Sequence, residues 1–198
     1  MSKARLTEPL VSAAHQRALL DVAACAIRDT LTTGRIHVPD IREFSPVLHE
    51  PGATFVTLER DADLLGCIGA LEATRPLVAD VAHNAVAAAF ADPRVPPITA
   101  DDYVHMSIKI SVLSAPEQID AASYDELTAV VRPHVDGIVL ESGRARSTLL
   151  PAVWPKVRDV HEFLDVVWRK AGLTPGTWPR GTRVSRYTTE EFCDPGPR

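Results

Sequence analysis

The chain has 198 residues, 45% of them hydrophobic and 24% charged, with a formal net charge of −5. This is the composition of a soluble globular protein large enough to bury its own core, and no apolar run reaches the roughly 18–20 residues that cross a bilayer. The acidic balance counts against broad binding to nucleic acid or anionic membrane, although a local basic patch stays open.

The first predicted element is a helix over roughly residues 9–31. Leu10, Ala14, Ala18, Val22 and Ala26 recur every four residues, with Leu19 and Ile27 beside them, and Gly34 supplies a stop. Residues 35–52 lack periodicity and read as an extended surface segment. Ala53–Arg60 and Leu64–Leu71 then form a hairpin around Asp61-Ala62-Asp63. Pro76 opens a helix that closes near Ala91, and its five alanines between 82 and 89 suit close packing on a sheet. Residues 104–113 read as a strand, with Val104, Met106, Ile108, Ile110 and Val112 on one face and His105, Ser107, Lys109 and Ser111 on the other. A short helix is predicted over 123–131. A hairpin of Gly137–Glu141 and Arg144–Leu150 turns at Ser142-Gly143. A further helix is capped by Asp159 with Glu162 in the reciprocal position and ended by Gly172. Thr182–Thr188 reads as the last strand, and residues 193–198 as a flexible tail. Strands in hairpins, with helices that do not alternate regularly, predict an α+β fold with a mostly antiparallel sheet and flanking helices. A doubly wound parallel sheet is the alternative.

Met1-Ser2-Lys3-Ala4-Arg5 leads into polar residues, so no signal peptide is expected. Cys25, Cys67 and Cys193 form no Cys-x-x-Cys pair, and an odd count suits no disulfide framework, which points to the cytoplasm and three free thiols. Cys25 reads as core, and Cys193 as exposed and incidental. The stretch most unlike an ordinary strand is Gly66-Cys67-Ile68-Gly69. Glycines inside a strand mark a bulge or the close approach of another backbone or a ligand. Strand parity puts Leu65, Cys67 and Gly69 on one side and Leu64, Gly66 and Ile68 on the other. Cys67 is therefore a candidate nucleophile in a cleft, set against the simpler reading of a small residue in a kinked strand. No phosphate loop is present. The histidines His15, His37, His49, His83, His105, His134 and His161 are scattered, so neither a metal site nor a cofactor is called for. Asp101-Asp102 reads as a helix start. Arg144 and Arg146 share one side of a strand and are candidate phosphate ligands, as against an ordinary polar sheet face. Trp154, Trp168 and Trp178 are not spaced as a stacking platform and read as core or interface residues.

Leu64-Leu65-Gly66-Cys67-Ile68-Gly69 resembles the signature hexapeptide of the AMMECR domain family, Leu-Arg-Gly-Cys-Ile-Gly. Arg75-Pro76-Leu77, Asp92-Pro93-Arg94-Val95-Pro96-Pro97-Ile98-Thr99, Ser107–Leu113, Asp136-Gly137-Ile138, Leu149-Leu150-Pro151, Arg169-Lys170-Ala171-Gly172 and Arg186-Tyr187 resemble its later blocks in order, over about residues 10–192. The resemblance implies one AMMECR-type domain across residues 1–198, with a larger and a smaller lobe around an antiparallel sheet. It also implies company: bacterial members form protein A of the AmmeMemoRadiSam system, alongside a Memo-like protein and a radical SAM protein. Three positions depart from the pattern. Leu65 replaces the family arginine, Val95 an aromatic residue, and Ala152 the frequent Glu or Gln.

Three functional readings follow. The first is an accessory or catalytic component of a radical SAM- and Memo-linked modification pathway, with Cys67 as the reactive group and Gly66, Ile68 and Gly69 lining a cleft. The second is a protein-interaction module without chemistry. The third is a nucleotide or RNA binder using Arg94, Arg144, Arg146 and Arg186.

Overall fold

The computed structural model describes residues 10–36 and 39–197. The order of elements is α1 (Ala13–Thr33), two single-turn 3-10 segments, β1 (Pro51–Arg60), β2 (Asp63–Gly69), β3 (Arg75–Pro76), α2 (Leu77–Phe90), α3 (Ala100–His105), β4 (Ser107–Leu113), β5 (Glu117–Ile119), α4 (Tyr124–Val130), β6 (Gly137–Ser142), β7 (Ala145–Leu149), α5 (Val160–Lys170), β8 (Arg183–Tyr187) and β9 (Thr189–Asp194). The fold is α+β with antiparallel sheets, as the hairpin spacing predicts. The chain divides into two compact units, one of Met1–Leu113 with Glu190–Arg198 and one of Ser114–Thr189.

In the first unit the sheet order is β2-β1-β4-β9, with β3 paired to the start of β1. Val56 and Leu58 lie opposite Ile110 and Ile108, and all four are fully buried. Helices α1 and α2 contribute Leu19, Ala23, Ile27, Val78, Val81 and Ala85 to the same core. Burying each large apolar side chain there stabilises by roughly 1.5–3 kcal/mol, so this layer dominates the unit. The other sheet face carries three cross-strand rows: Gly69, Phe55 and Ser111; Cys67, Thr57 and Lys109; Leu64, Glu59 and Ser107.

Sequence expectations are corrected at three elements of this unit. The four-residue recurrence in α1 drifts about 40° per step on a helix of 3.6 residues per turn. The buried stripe is therefore Leu19, Leu20, Val22, Ala23, Ala26 and Ile27, while Ala14 is exposed and Leu10, also exposed, lies before the helix. The strand expected from 104 starts at Ser107. Thr99 and Asp102 form a reciprocal capping box, so residues 100–105 are helical and Val104 is exposed. The paired acids at 101 and 102 do open a helix, as read.

The third correction concerns β2. Leu64 pairs with Glu59 and Gly66 with Leu58, which leaves Leu65 as an extra, bulged residue. One inserted residue reverses strand parity beyond it. Leu65 consequently packs on the core, and Leu64 joins the Cys67 face at 40% exposure.

In the second unit the order is β5-β8-β6-β7, all antiparallel. Ile138, Leu140 and Val184 meet Phe163, Leu164, Val167 and Trp168 of α5. Asp159 caps α5 by accepting the Glu162 N–H at 2.9 Å. The reciprocal half differs from expectation, because Glu162 accepts the N–H of Arg158 at 2.8 Å. Trp154 stacks on Phe163 with 3.9 Å between centroids. Trp154 and Trp168 are core, as expected. Strand β9 carries the chain through Cys193 and Asp194, beyond the expected start of the tail.

Candidate functional site

Strand β2 is an edge strand, so every second residue presents an unpaired main-chain N–H and C=O outward. At Cys67 these groups are met by side chains. Asp92 Oδ2 accepts the Cys67 N–H at 2.8 Å, and Arg94 Nη2 donates to the Cys67 carbonyl at 2.8 Å. The two side chains are locked to each other, Nε to Oδ1 at 2.9 Å and Nη2 to Oδ2 at 2.7 Å. Pro93 separates them, and Asp92 Oδ1 also accepts the N–H of Arg94 at 3.0 Å, which fixes the loop that presents both. The Asp92 carboxylate is fully buried, whereas 58% of the Arg94 side chain is exposed. The Arg94 guanidinium, with the Cys67 N–H behind it, holds the Asp92 carboxyl well below the usual carboxylate range. The carboxylate in turn raises Arg94 further.

The Cys67 thiol is half-buried on the sheet face, where Thr57 Oγ1 donates to Sγ at 3.2 Å. The Cys67 side chain also interacts with the Arg94 guanidinium. Lys109 is the third member of the same cross-strand row.

The flanking glycines are shaped by close approach, as read. A Cβ on Gly66 would lie 1.9 Å from the carbonyl oxygen of Ala88, so α2 backbone rests directly on β2. On Gly69 it would lie 2.3 Å from the Phe55 ring and 2.4 Å from the Thr54 carbonyl oxygen. Ile68 points to the core side with Gly66 and packs against the main cluster, so it lines no opening on the Cys67 face.

A buried polar cluster beneath β1 escaped the sequence reading. Asp80 Oδ2 accepts from Thr54 N at 3.0 Å, Thr54 Oγ1 at 2.8 Å and Asn84 Nδ2 at 2.9 Å. Arg75 closes the cluster, donating to Oδ1 through Nε and Nη2 at 3.2 and 3.0 Å. The available signal was two polar residues, Asp80 and Asn84, one turn apart on the apolar face of α2. The cluster ties the helix to the sheet and explains the Arg75-Pro76 block.

The candidate arginines are divided between the two units. Arg94 belongs to the first unit, and Arg144, Arg146 and Arg186 to the second. Arg144 sits in the β6–β7 turn, outside the strand expected for it. Arg146 pairs with Glu141 at 3.5 Å and Arg186 with Glu117 at 3.2 Å. They occupy opposite sheet faces, because Arg146 lies opposite Glu141 and Arg186 opposite Ile138, three residues apart on β6.

Other motif residues of this unit are used in packing. A Cβ on Gly137 would lie 2.5 Å from the Tyr187 ring and 2.9 Å from Pro151, so three sequence blocks meet at one glycine. Buried Asp136 accepts from the N–H, Nε and Nη2 of Arg132, and its carbonyl accepts from Trp154 Nε1 at 2.8 Å.

Cys25 is exposed, contrary to the core reading, because it lies on α1 opposite the buried stripe. A groove of about 660 Å³ beside it is lined by Val22, Cys25, Ala26, Arg28, Pro39 and Phe44 among others. Of its four acids Asp21, Asp29, Asp40 and Glu43, the first three are paired with Arg17, Arg28 and Arg42. His37 lies outside the described residues, and His83 is exposed. Among the described residues no three His, Cys, Asp or Glu side chains group to hold a metal, and no helix is long and apolar enough to cross a membrane.

Residues 20–192 match the model of the AMMECR1 family. A protein of Methanothermobacter thermautotrophicus is 34% identical over 187 residues, covering 91% of this chain and 94% of its own. A protein of Thermofilum pendens is 34% identical over 204 residues, covering 95% and 93%. The crystal structure of an uncharacterised protein from Pyrococcus horikoshii superposes with a TM-score of 0.85 at 32% identity, over 96% of each chain.

Proposed function

The chain belongs to the AMMECR1 family, and from that premise we propose that it is a thiol-bearing component of a cytoplasmic modification pathway served by a radical SAM protein and a Memo-like protein. The observation that carries the proposal is the treatment of Cys67. Its main chain is clipped on both sides by Asp92 and Arg94, and its thiol is oriented by Thr57. A buried inert cysteine needs none of these contacts, and a working thiol needs a fixed position.

A second reading has its own support. The Asp92–Arg94 clip also closes the exposed edge of β2, a sufficient structural reason for both motifs. No histidine or carboxylate contacts the Cys67 sulfur among the described residues, which suits an interaction module that performs no chemistry.

The test uses the full chain with Cys25→Ser and Cys193→Ser. Iodoacetamide alkylation of Cys67 in the folded protein at a rate near that of a free thiol supports the thiol reading. Protection until global unfolding moves Cys67 to a structural role and puts the interaction module first. Affinity capture of the tagged chain with co-expressed radical SAM and Memo-like proteins tests the company separately.

A further inference from the structure

We infer that the site at Cys67 takes an anionic ligand, carrying a carboxylate or phosphate group, and that Arg94 is the residue that holds it. The inference rests on the thiol reading above and names the class of molecule that the thiol meets.

Arg94 is fixed more firmly than a surface arginine and is still half-exposed. Asp92 grips Nε and Nη2, and the Cys67 carbonyl takes a further Nη2 proton. Those bonds occupy three of the five guanidinium N–H groups. Among the described residues no oxygen accepts from the two N–H groups of Nη1; the Cys67 side chain, which also interacts with the guanidinium, is the neighbour that shares this side of the cation. A planar fork fixed on one side and open on the other is the arrangement that recognises carboxylate and phosphate. Asp92 lowers the net charge of the pair, but its oxygens are buried and saturated by Arg94 and Cys67 donors. An incoming anion therefore meets guanidinium hydrogens and not carboxylate oxygen.

Two neighbours bear on the argument. Leu65 stands where the family pattern has arginine and is turned onto the core by the bulge, so that position supplies no cation. Lys109 lies on the same sheet face, separated from Cys67 by Thr57. It is the alternative cation for the test to distinguish.

The experiment compares two alkylating agents of similar size, neutral iodoacetamide and anionic iodoacetate, on the Cys25→Ser, Cys193→Ser chain. In both reactions the thiolate attacks the CH2 carbon. A C–S bond forms, the C–I bond breaks with its electron pair leaving on iodide, and the thiol proton goes to buffer. Both agents meet the same thiolate, so the ratio of their rates cancels the ionisation of the thiol. The reference ratio is that of the urea-unfolded chain. Attraction by one nearby cation raises the iodoacetate ratio about fivefold in the folded protein, and the gain shrinks as salt is added. Arg94→Gln returns the ratio to the reference, and Arg94→Lys keeps part of it. Circular dichroism shows that each variant is folded when measured.

A folded ratio equal to the unfolded one overturns the anionic class. A raised ratio unchanged by Arg94→Gln and lost in Lys109→Gln overturns the role of Arg94. Protection from both agents until unfolding overturns the thiol reading, and this inference with it.

Discussion

The buried carboxylate of Asp92 accepts the main-chain N–H of Cys67 at 2.8 Å across the open edge of β2. A side chain takes the place that a neighbouring strand would fill, and Arg94 completes the imitation at the Cys67 carbonyl. The two most recognisable stretches of the sequence, residues 64–69 and 92–99, are thus one structural device.

Asp92→Ala should destabilise the fold by about 2 kcal/mol, because it orphans the Cys67 N–H and removes a charge-assisted pair. Arg94→Ala should cost less, since the guanidinium is half in water and leaves behind a carboxylate that still accepts the Cys67 N–H. Urea unfolding of the two variants measures the difference. Equal losses would contradict the asymmetry in burial.

The same carboxylate predicts a pH dependence. Arg94 first, and the Cys67 N–H with it, depress the folded-state pKa of Asp92 below its unfolded value near 3.9. A depressed acid contributes stability that is complete above the unfolded pKa and is lost as pH falls towards the folded one. The stability gap between the parent and Asp92→Asn should therefore be full at pH 7 and narrower at pH 3. A gap of the same size at both values would remove Asp92 from the acid response.

Tyr187 predicts the opposite limb. Burial pushes its phenol up to about 12, with the Thr148 hydroxyl opposing the shift. A raised acid pKa gives stability that is present below the unfolded value near 10 and lost as pH rises through the folded one. Burial first, and Asp165 with it, raise the Tyr124 phenol too, so absorbance titration at 295 nm should lose one of two late-titrating components in Tyr187→Phe. If the variant instead loses a phenol titrating near 10, the burial argument fails for this residue.

Much of the fold was legible in the sequence because its signals are local. The alternation from Ser107 to Val112, the Asp159 cap and the hairpin glycine at 143 each act over a few residues. What was not legible depends on contacts distant in the chain. The bulge at Leu65 is invisible to a period-two reading, and it exchanged the sides given to Leu64 and Leu65. The residues partnering Cys67 lie 10, 25 and 27 positions away, so the sequence marked the thiol and the arginine without joining them. Asp80 reads as an ordinary first-turn acid until the fold brings Thr54 and Arg75 against it.

The glycines of β2 give the last prediction. Neither Gly66 nor Gly69 has positive φ, so their requirement is for space and not for a left-handed backbone. At Gly66 the obstacle is the main chain of α2, 1.9 Å from the Cβ position. A helix backbone cannot rotate aside as a side chain can, so Gly66→Ala must push α2 off the sheet along the alanine-rich face that closes the core. At Gly52 a Cβ meets the Leu77 side chain, with Cδ1 at 2.6 Å and Cβ at 2.9 Å; a rotamer change moves the Cδ1 but not the Cβ, so relief there is partial. Overpacking of a rigid contact costs about 1–3 kcal/mol or more, and less where a side chain yields. Gly66→Ala should therefore melt well below the parent, Gly52→Ala should lie closer to it, and Gly69→Ala should fall between, because a movable ring and a fixed carbonyl both crowd it. A Gly66→Ala variant that melts with the parent would mean that α2 does not rest on β2 at this point. The packing account of the signature glycines would then fail, and a ligand approaching the strand would become the remaining reason for them.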